Sequence, residues 1–252
     1  MEAVKRQREI LARARAHGRV DVVGLATDLG VAPETVRRDL RLLAERGLLQ
    51  RVHGGAYPAE VGAPLPGEGE TTAALADRRR IAVATIGLFQ GARTVYVDSG
   101  DTARVVGESL RPTEPITVVT PSLPVATSLA ARDDVRVLLL GGRVDGTTRG
   151  TVDDWARRML EELAVDVAVL SASGVSPVDG LMADDPAAAA LGRVAVARSR
   201  RRILVGLSSM FGGAGLARYA AVADLEAIVT DVGLRGVDAD AYAELGPEVV
   251  RV

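Results

Sequence analysis

Residues 31–55 read "VAPETVRRDLRLLAERGLLQRVHGG", with arginines set between apolar residues at helical spacing. Val36, Leu40 and Leu43 fall at i, i+4 and i+7, the pattern of one buried helical stripe, which leaves Thr35, Arg37, Arg38 and Arg41 on or beside the outer face. Arginine suits a polyanion for two reasons. Its charge pairs with phosphates, and its planar fork binds the O6 and N7 of guanine bidentately. A second set of candidates lies further on, in short loops that each follow an aliphatic run. "DSGDT" supplies Asp98, Ser99, Gly100, Asp101 and Thr102, "TPS" supplies Thr120 and Ser122, and "GGR" supplies Gly141, Gly142 and Arg143. "SASG" supplies Ser173 and Gly174, and "LSS" supplies Ser208 and Ser209. Glycine admits close backbone approach, and hydroxyls beside free helix N–H groups make a cradle for a small polar or anionic ligand.

The basic segment is positioned by its neighbours. Residues 4–16 place Val4, Ile10, Leu11 and Ala14 on one helical face, and Gly18 follows as a stop. Asp21 can cap a short helix with Val22, Leu25, Ala26 and Leu29 inside, closed by Gly30. Pro33 occupies a favourable first helical position, Gly47 ends the basic helix, and "LLQRVHGGAYP" reads as two short strands around a turn. Helix, short helix, tight turn, basic helix and wing describe a winged helix-turn-helix, whose third helix enters the major groove. Charge supports this. Residues 1–57 hold eleven basic and seven acidic residues, whereas the rest holds twenty basic and twenty-six acidic. One end suits a polyanion and the other does not.

The remaining chain has a different texture. From Pro58 to Ala76 it is rich in Pro, Gly and Glu without apolar period, which predicts a linker over 58–76 and a second domain over 77–252. Aliphatic runs then recur at 94–98, 116–120, 135–140, 165–172, 202–206, 227–230 and the C-terminus, with amphipathic stretches at 102–110, 122–131, 152–163 and 187–199. Strands alternating with helices predict a mainly parallel α/β sheet covered on both faces, with ligands at the carboxyl ends of its strands.

Composition excludes several chemistries. There is no cysteine, Lys5 is the only lysine, and the two histidines, His17 and His53, are too poorly accompanied to suggest a metal. No cofactor is implied. No apolar run approaches 20 residues and the N-terminus is not signal-like, so a cytoplasmic protein without a membrane segment is expected. Acid–base catalysis would need a placed carboxylate and a cation. Asp98, Asp101, Asp184 and Asp185 are available, but residues 77–252 contain neither lysine nor histidine, so a non-enzymatic role is expected. The segment "RRMLEELA" at 157–164 fits core packing or a subunit interface.

Residues 1–57 resemble the DeoR-type bacterial transcriptional regulators almost position for position, above all in "TVRRDL" and "RVHGGA". The landmarks "VDSG", "LLGG", "SASG" and "SS.FG" extend the resemblance to the family's C-terminal sensor, a Rossmann-like fold shared with ribose-5-phosphate isomerase. It implies that Thr35, Arg37, Arg38 and Arg41 face operator DNA while Arg51 and His53 belong to the wing, and that the loops above bind an effector. It also implies a repressor of carbohydrate or related metabolic genes acting as a homodimer or homotetramer, since one recognition helix reads too few base pairs. The chain departs from the family pattern at Ala32 and Gln50, and in the sensor at Asp101, Pro121, Gly150, Ala190, Gly192, Leu207 and Met210. The lysines expected to meet a phosphate are missing and a carboxylate has been added. Arg143, Arg149 and Arg193 are the candidate substitutes. A sugar phosphate, a less anionic metabolite and a ligand-independent oligomerisation domain therefore all stay open.

Overall fold

The computed structural model describes residues 3–17, 20–45, 48–52, 55–58 and 72–252, the side chains of residues 3–5, 8, 15–17, 45, 50–52 and 58 excepted. The chain divides into two compact units, Met1–Gly69 and Glu70–Val252.

The first unit runs α1 (Ala3–His17), β1 (Val20–Asp21), α2 (Val22–Leu29), α3 (Pro33–Glu45), β2 (Leu49–Val52) and β3 (Gly55–Pro58). Asp21 caps α2 by accepting the Gly24 amide at 2.7 Å, and Gly30 ends that helix in the left-handed region at φ 62°. Ile10 and Ala14 of α1 pack with Val22, Leu25 and Ala26 of α2 and with Val36, Leu40 and Leu43 of α3. β2 and β3 form the antiparallel wing. A third strand was not expected: β1 pairs with β3 so closely that a Cβ on Gly55 would stand 2.1 Å from the Val20 carbonyl oxygen. Gly18 and Gly47, expected as helix stops, lie outside the described residues.

The linker expected over 58–76 is shorter at both ends. Pro58 closes β3, and Thr72–Ala76 already belongs to α4 (Thr72–Gly87). "TTAALA" has no Gly or Pro, and its alanines and leucine are good helix formers, which outweighs the lack of an apolar period.

In the second unit α4 is followed by β4 (Thr94–Val97), α5 (Asp101–Ser109), β5 (Ile116–Thr120), α6 (Leu123–Leu129), β6 (Val135–Leu139), the hairpin β7 (Arg143–Val144) and β8 (Thr151–Val152), and α7 (Asp154–Glu161). Then come β9 (Val165–Leu170), β10 (Gly174–Ser176), β11 (Gly180–Ala183), α8 (Pro186–Arg198), β12 (Ser199–Val205), β13 (Ala217–Ala220), β14 (Ala227–Thr230), α9 (Gly236–Ala243) and β15 (Glu248–Arg251). Seven strands form one sheet in the order β15-β14-β12-β9-β4-β5-β6, every neighbouring pair parallel. From β4 the chain winds outward to β6, returns to lay β9 against the other side of β4, and winds outward again to β15. That reversal between β4 and β9 opens a crevice at their carboxyl ends.

Side chains alternate across the sheet. Val95, Val97, Val167, Val169 and Val205 pack under α4, α5 and α6, against Ile81, Val105, Val106, Val125 and Leu129. Tyr96, Ala168, Leu170, Leu204 and Ile228 face the opposite layer, which contains Leu160 of α7, Ala189 and Ala195 of α8 and Tyr242 of α9. With both faces buried, the inner strands β4, β9 and β14 and the end of β12 carry no polar alternation, hence their continuous aliphatic runs. An antiparallel sheet, β10-β11-β13, completes this second layer through Val175, Leu181 and Tyr219. Its strands of three or four residues are too short to leave a periodic signal.

Candidate functional site

On α3 the stripe Val36, Leu40 and Leu43 is buried, while Arg37, Arg38 and Arg41 are exposed and Thr35 is half-buried. Arg37 is held on the surface by Glu34 one turn earlier, at 2.9 Å. Sequence reasoning passed over Asp39. It is buried and clamps α3 to α1, accepting Arg6 Nε at 2.5 Å and Gln7 Nε2 at 2.9 Å. This bond fixes the turn of α3 that carries Arg38 and Arg41, between two residues of the exposed face. Arg51 lies in β2 with its side chain outside the described atoms, and His53 lies outside the described residues.

In the second unit a cavity of about 180 Å³ opens where β4, β9 and β12 end. Of the expected ligand residues, Gly100, Asp101, Thr102 and Ser209 line it. Gly100 is the N-cap of α5 and has no side chain to occupy the free amides there; a Cβ at that position would strike Ser171 Oγ at 2.3 Å. Ser171 lines the cavity too, and its buried hydroxyl has no hydrogen-bond partner among the described residues. Leu207 and Met210 give the wall from β12 an apolar character.

The cation of this site comes from α4. Arg78 lines the cavity, donates through Nη1 to the buried Thr102 hydroxyl, and places Nη2 at 3.7 Å from Asp101 Oδ2. None of the arginines proposed from the sequence lines it. Arg143 is exposed and 3.8 Å from Asp185, and Arg193 donates to the Arg218 carbonyl. A side chain on Gly192 would meet the ring of Tyr219 at 2.9 Å, so that position is closed to a lysine unless the tyrosine moves. Arg78 escaped notice because it lies on a helix rather than in a strand-end loop.

Asp98 lies directly beneath. Its carboxylate accepts the amides of Ser99 at 2.8 Å and Ser171 at 3.0 Å, and the Tyr96 hydroxyl at 3.3 Å. Burial pushes its pKa up, opposed by these three bonds. The Tyr96 and Tyr219 phenols are raised well above their ordinary value by burial, reinforced by the Asp98 charge, and Tyr219 donates to the Ser171 carbonyl. Asp98 thus braces β4 to β9 at the reversal point, with its lone pairs turned to the protein.

The other expected residues do not line this cavity. Thr120 is buried, donating to the Val97 carbonyl at 2.6 Å and accepting the Ser122 amide, and Ser122 caps α6. Ser99 follows Asp98 without lining the cavity, Gly141 and Gly142 lead into β7, and Gly174 begins β10. Ser173 accepts the Asp184 amide at 3.2 Å. Ser208 turns away to Asp231, donating both its amide, at 2.6 Å, and its hydroxyl, at 2.7 Å.

Comparison with known proteins agrees with these two units. The profile of the DeoR C terminal sensor domain matches residues 74–232, well over half of the chain, and that of the DeoR-like helix-turn-helix domain matches residues 6–60. The chain belongs to the DeoR family. As a DeoR-family protein it is a DNA-binding transcriptional regulator with a helix-turn-helix domain ahead of a sensor domain. It is 26% identical to the glycerol-3-phosphate regulon repressor of Escherichia coli (strain K12), over 92% of each chain. It is 27% identical to the HTH-type transcriptional regulator IolR of Bacillus subtilis (strain 168), over 85% of this chain and 86% of that one. Among solved structures, ribose 5-phosphate isomerase A from Methanocaldococcus jannaschii aligns with a TM-score of 0.37 at 12% identity, over 53% of each chain. No helix among the described residues is long and apolar enough to cross a membrane.

Proposed function

We propose that this DeoR-family regulator is a repressor that reads operator half-sites through Thr35, Arg37, Arg38 and Arg41 of α3, with Arg51 and His53 on the wing, and that a small metabolite in the cavity at the ends of β4, β9 and β12 alters its operator affinity. The observation that carries the reading is the two-faced α3: one stripe fills the core, and the opposite face presents three exposed arginines. The Arg37–Glu34 pair is exposed, so exchanging Glu34 for a phosphate costs little. A recognition helix that covers a few base pairs needs a second copy for useful specificity, which makes the working form a homo-oligomer on a repeated or palindromic site. We read the cavity as serving binding rather than turnover: Asp98 is engaged in the brace, residues 77–252 have no lysine or histidine, and Asp101, the carboxylate that lines the cavity, faces Arg78. Occupancy acts on the operator only through its differential affinity for the DNA-competent and incompetent states.

The test is operator binding by fluorescence anisotropy, on a duplex selected by the protein from a random pool. Arg38→Ala and Arg41→Ala should each cost about 1–3 kcal/mol of specific binding. The far-ultraviolet circular dichroism should not change. Unaltered affinity in both variants would overturn the assignment of α3.

A further inference from the structure

The cavity carries a charge balance that the strand-end loops alone do not disclose. Arg78 and Asp101 both line it, with Nη2 and Oδ2 3.7 Å apart, and the second arm of the guanidinium is held by Thr102. The Arg78 side chain is 15% exposed and that of Asp101 39%, so the guanidinium is held in the wall while the carboxylate stays accessible. Beneath the floor, Asp98 bonds the amide of Ser171, itself a lining residue. The remaining groups are neutral: the unpartnered Ser171 hydroxyl, Ser209, the amides at the start of α5, and the apolar side chains of Leu207 and Met210.

Resting on the reading of this cavity as the effector site, we propose that the Arg78–Asp101 pair sets the charge of the effector: the cavity takes a neutral polyhydroxylated metabolite and rejects a phosphate monoester. A dianion seated on the α5 amides meets one guanidinium that already faces a carboxylate lining the same cavity. Its desolvation is then offset by neutral hydroxyl and amide donors and by the partial positive charge of the helix terminus, about half an elementary charge, without a full cationic charge in surplus. A polyol meets complementary groups instead. Asp101 accepts its hydroxyl protons, the α5 amides donate to its oxygens, the Ser171 hydroxyl gains a partner, and Leu207 and Met210 cover its C–H face.

The experiment uses the full chain and inorganic phosphate as the probe, followed by ³¹P line broadening and thermal shift at matched ionic strength, beside a panel of unphosphorylated tetritols to hexitols. Wild type should show no phosphate binding below about 10 mM, which corresponds to an affinity at least tenfold weaker than a millimolar site. Asp101→Asn, which keeps the shape and removes the charge, should gain phosphate binding by at least tenfold, and Asp101→Ala should do the same if the amide disturbs the α5 cap. Adding Arg78→Gln to either should abolish the gain. Submillimolar phosphate binding by wild type, or no gain in both Asp101 variants, would overturn the inference. The underlying reading fails separately: a polyol that binds wild type and leaves operator affinity unchanged would remove the cavity's regulatory role while leaving its charge selectivity standing.

Discussion

At the scale of single residues, the carboxylates of this protein do opposite things according to what donates to them. Asp231, at the end of β14, is buried, which pushes its pKa up. The amide and hydroxyl of Ser208 and the Gly233 amide outweigh that and hold it below the usual carboxylate range. A folded-state pKa below the unfolded one contributes stability that is present at neutral pH and lost as pH falls through the folded value. Asp231→Asn should therefore cost about 1–3 kcal/mol near pH 7, with the gap to wild type narrowing in acid. Denaturant melts of the two proteins between pH 7 and pH 3 check this, and a gap that widens in acid would refute it. Asp98 shows the other sign, since burial raises it. The sequence marked Asp98, Asp101 and Ser208 alike as strand-end polar residues, of which Asp101 lines the cavity while Asp98 and Ser208 do not. It had no means of telling which side chains turn inward, because that depends on partners such as Asp231 and Ser171 some 20 to 70 residues away.

At the scale of elements, helix periodicity was readable wherever one stripe is buried. α3 is the clearest case: Val36, Leu40 and Leu43 announce the inner face and the arginines the outer one. What periodicity hides is the clamp on this helix. Asp39 sits among arginines in "TVRRDL" and reads as surface, yet it is buried against Arg6 and Gln7 of α1. Removing Asp39 takes away a buried charged acceptor of two hydrogen bonds, at a cost of about 1–3 kcal/mol. Asp39→Ala should thus loosen α1 and α3 together, seen as faster amide exchange in both helices, and weaken operator binding although every exposed arginine is retained. The exchange of β9 and β12 should be unaffected. Protection of α1 equal to wild type would show that the clamp carries no stability. α4 illustrates a further limit, for "TTAALADRRR" has no apolar stripe, and only its composition favours a helix. Sheet order was likewise not legible, because parallel strands buried on both faces look alike. The reversal between β4 and β9 is set by packing over long separations.

At the scale of the whole molecule, charge is divided between the two units: the basic surplus lies in residues 1–57 and the acidic surplus beyond them. Affinity for DNA then depends on counterion release at the basic end, with the rest of the chain adding repulsion. An oligomer that contacts about six phosphates should lose roughly 10³-fold in operator affinity between 50 and 200 mM salt. A titration over that range reads the slope directly, and a flat profile would mean that phosphates contribute little.

Arg78 stands on the first helix after the linker, so the wall of the cavity and the chain's entry into the second unit are one element. A metabolite that draws Arg78 away from Asp101 does work on α4, and work of that kind has no preferred direction. Whatever factor the metabolite imposes on operator affinity, the operator must impose on metabolite affinity. Copies of the regulator bound to DNA and copies free in solution would then answer to different concentrations of the same compound, so the operator itself would help set the threshold at which the signal is heard.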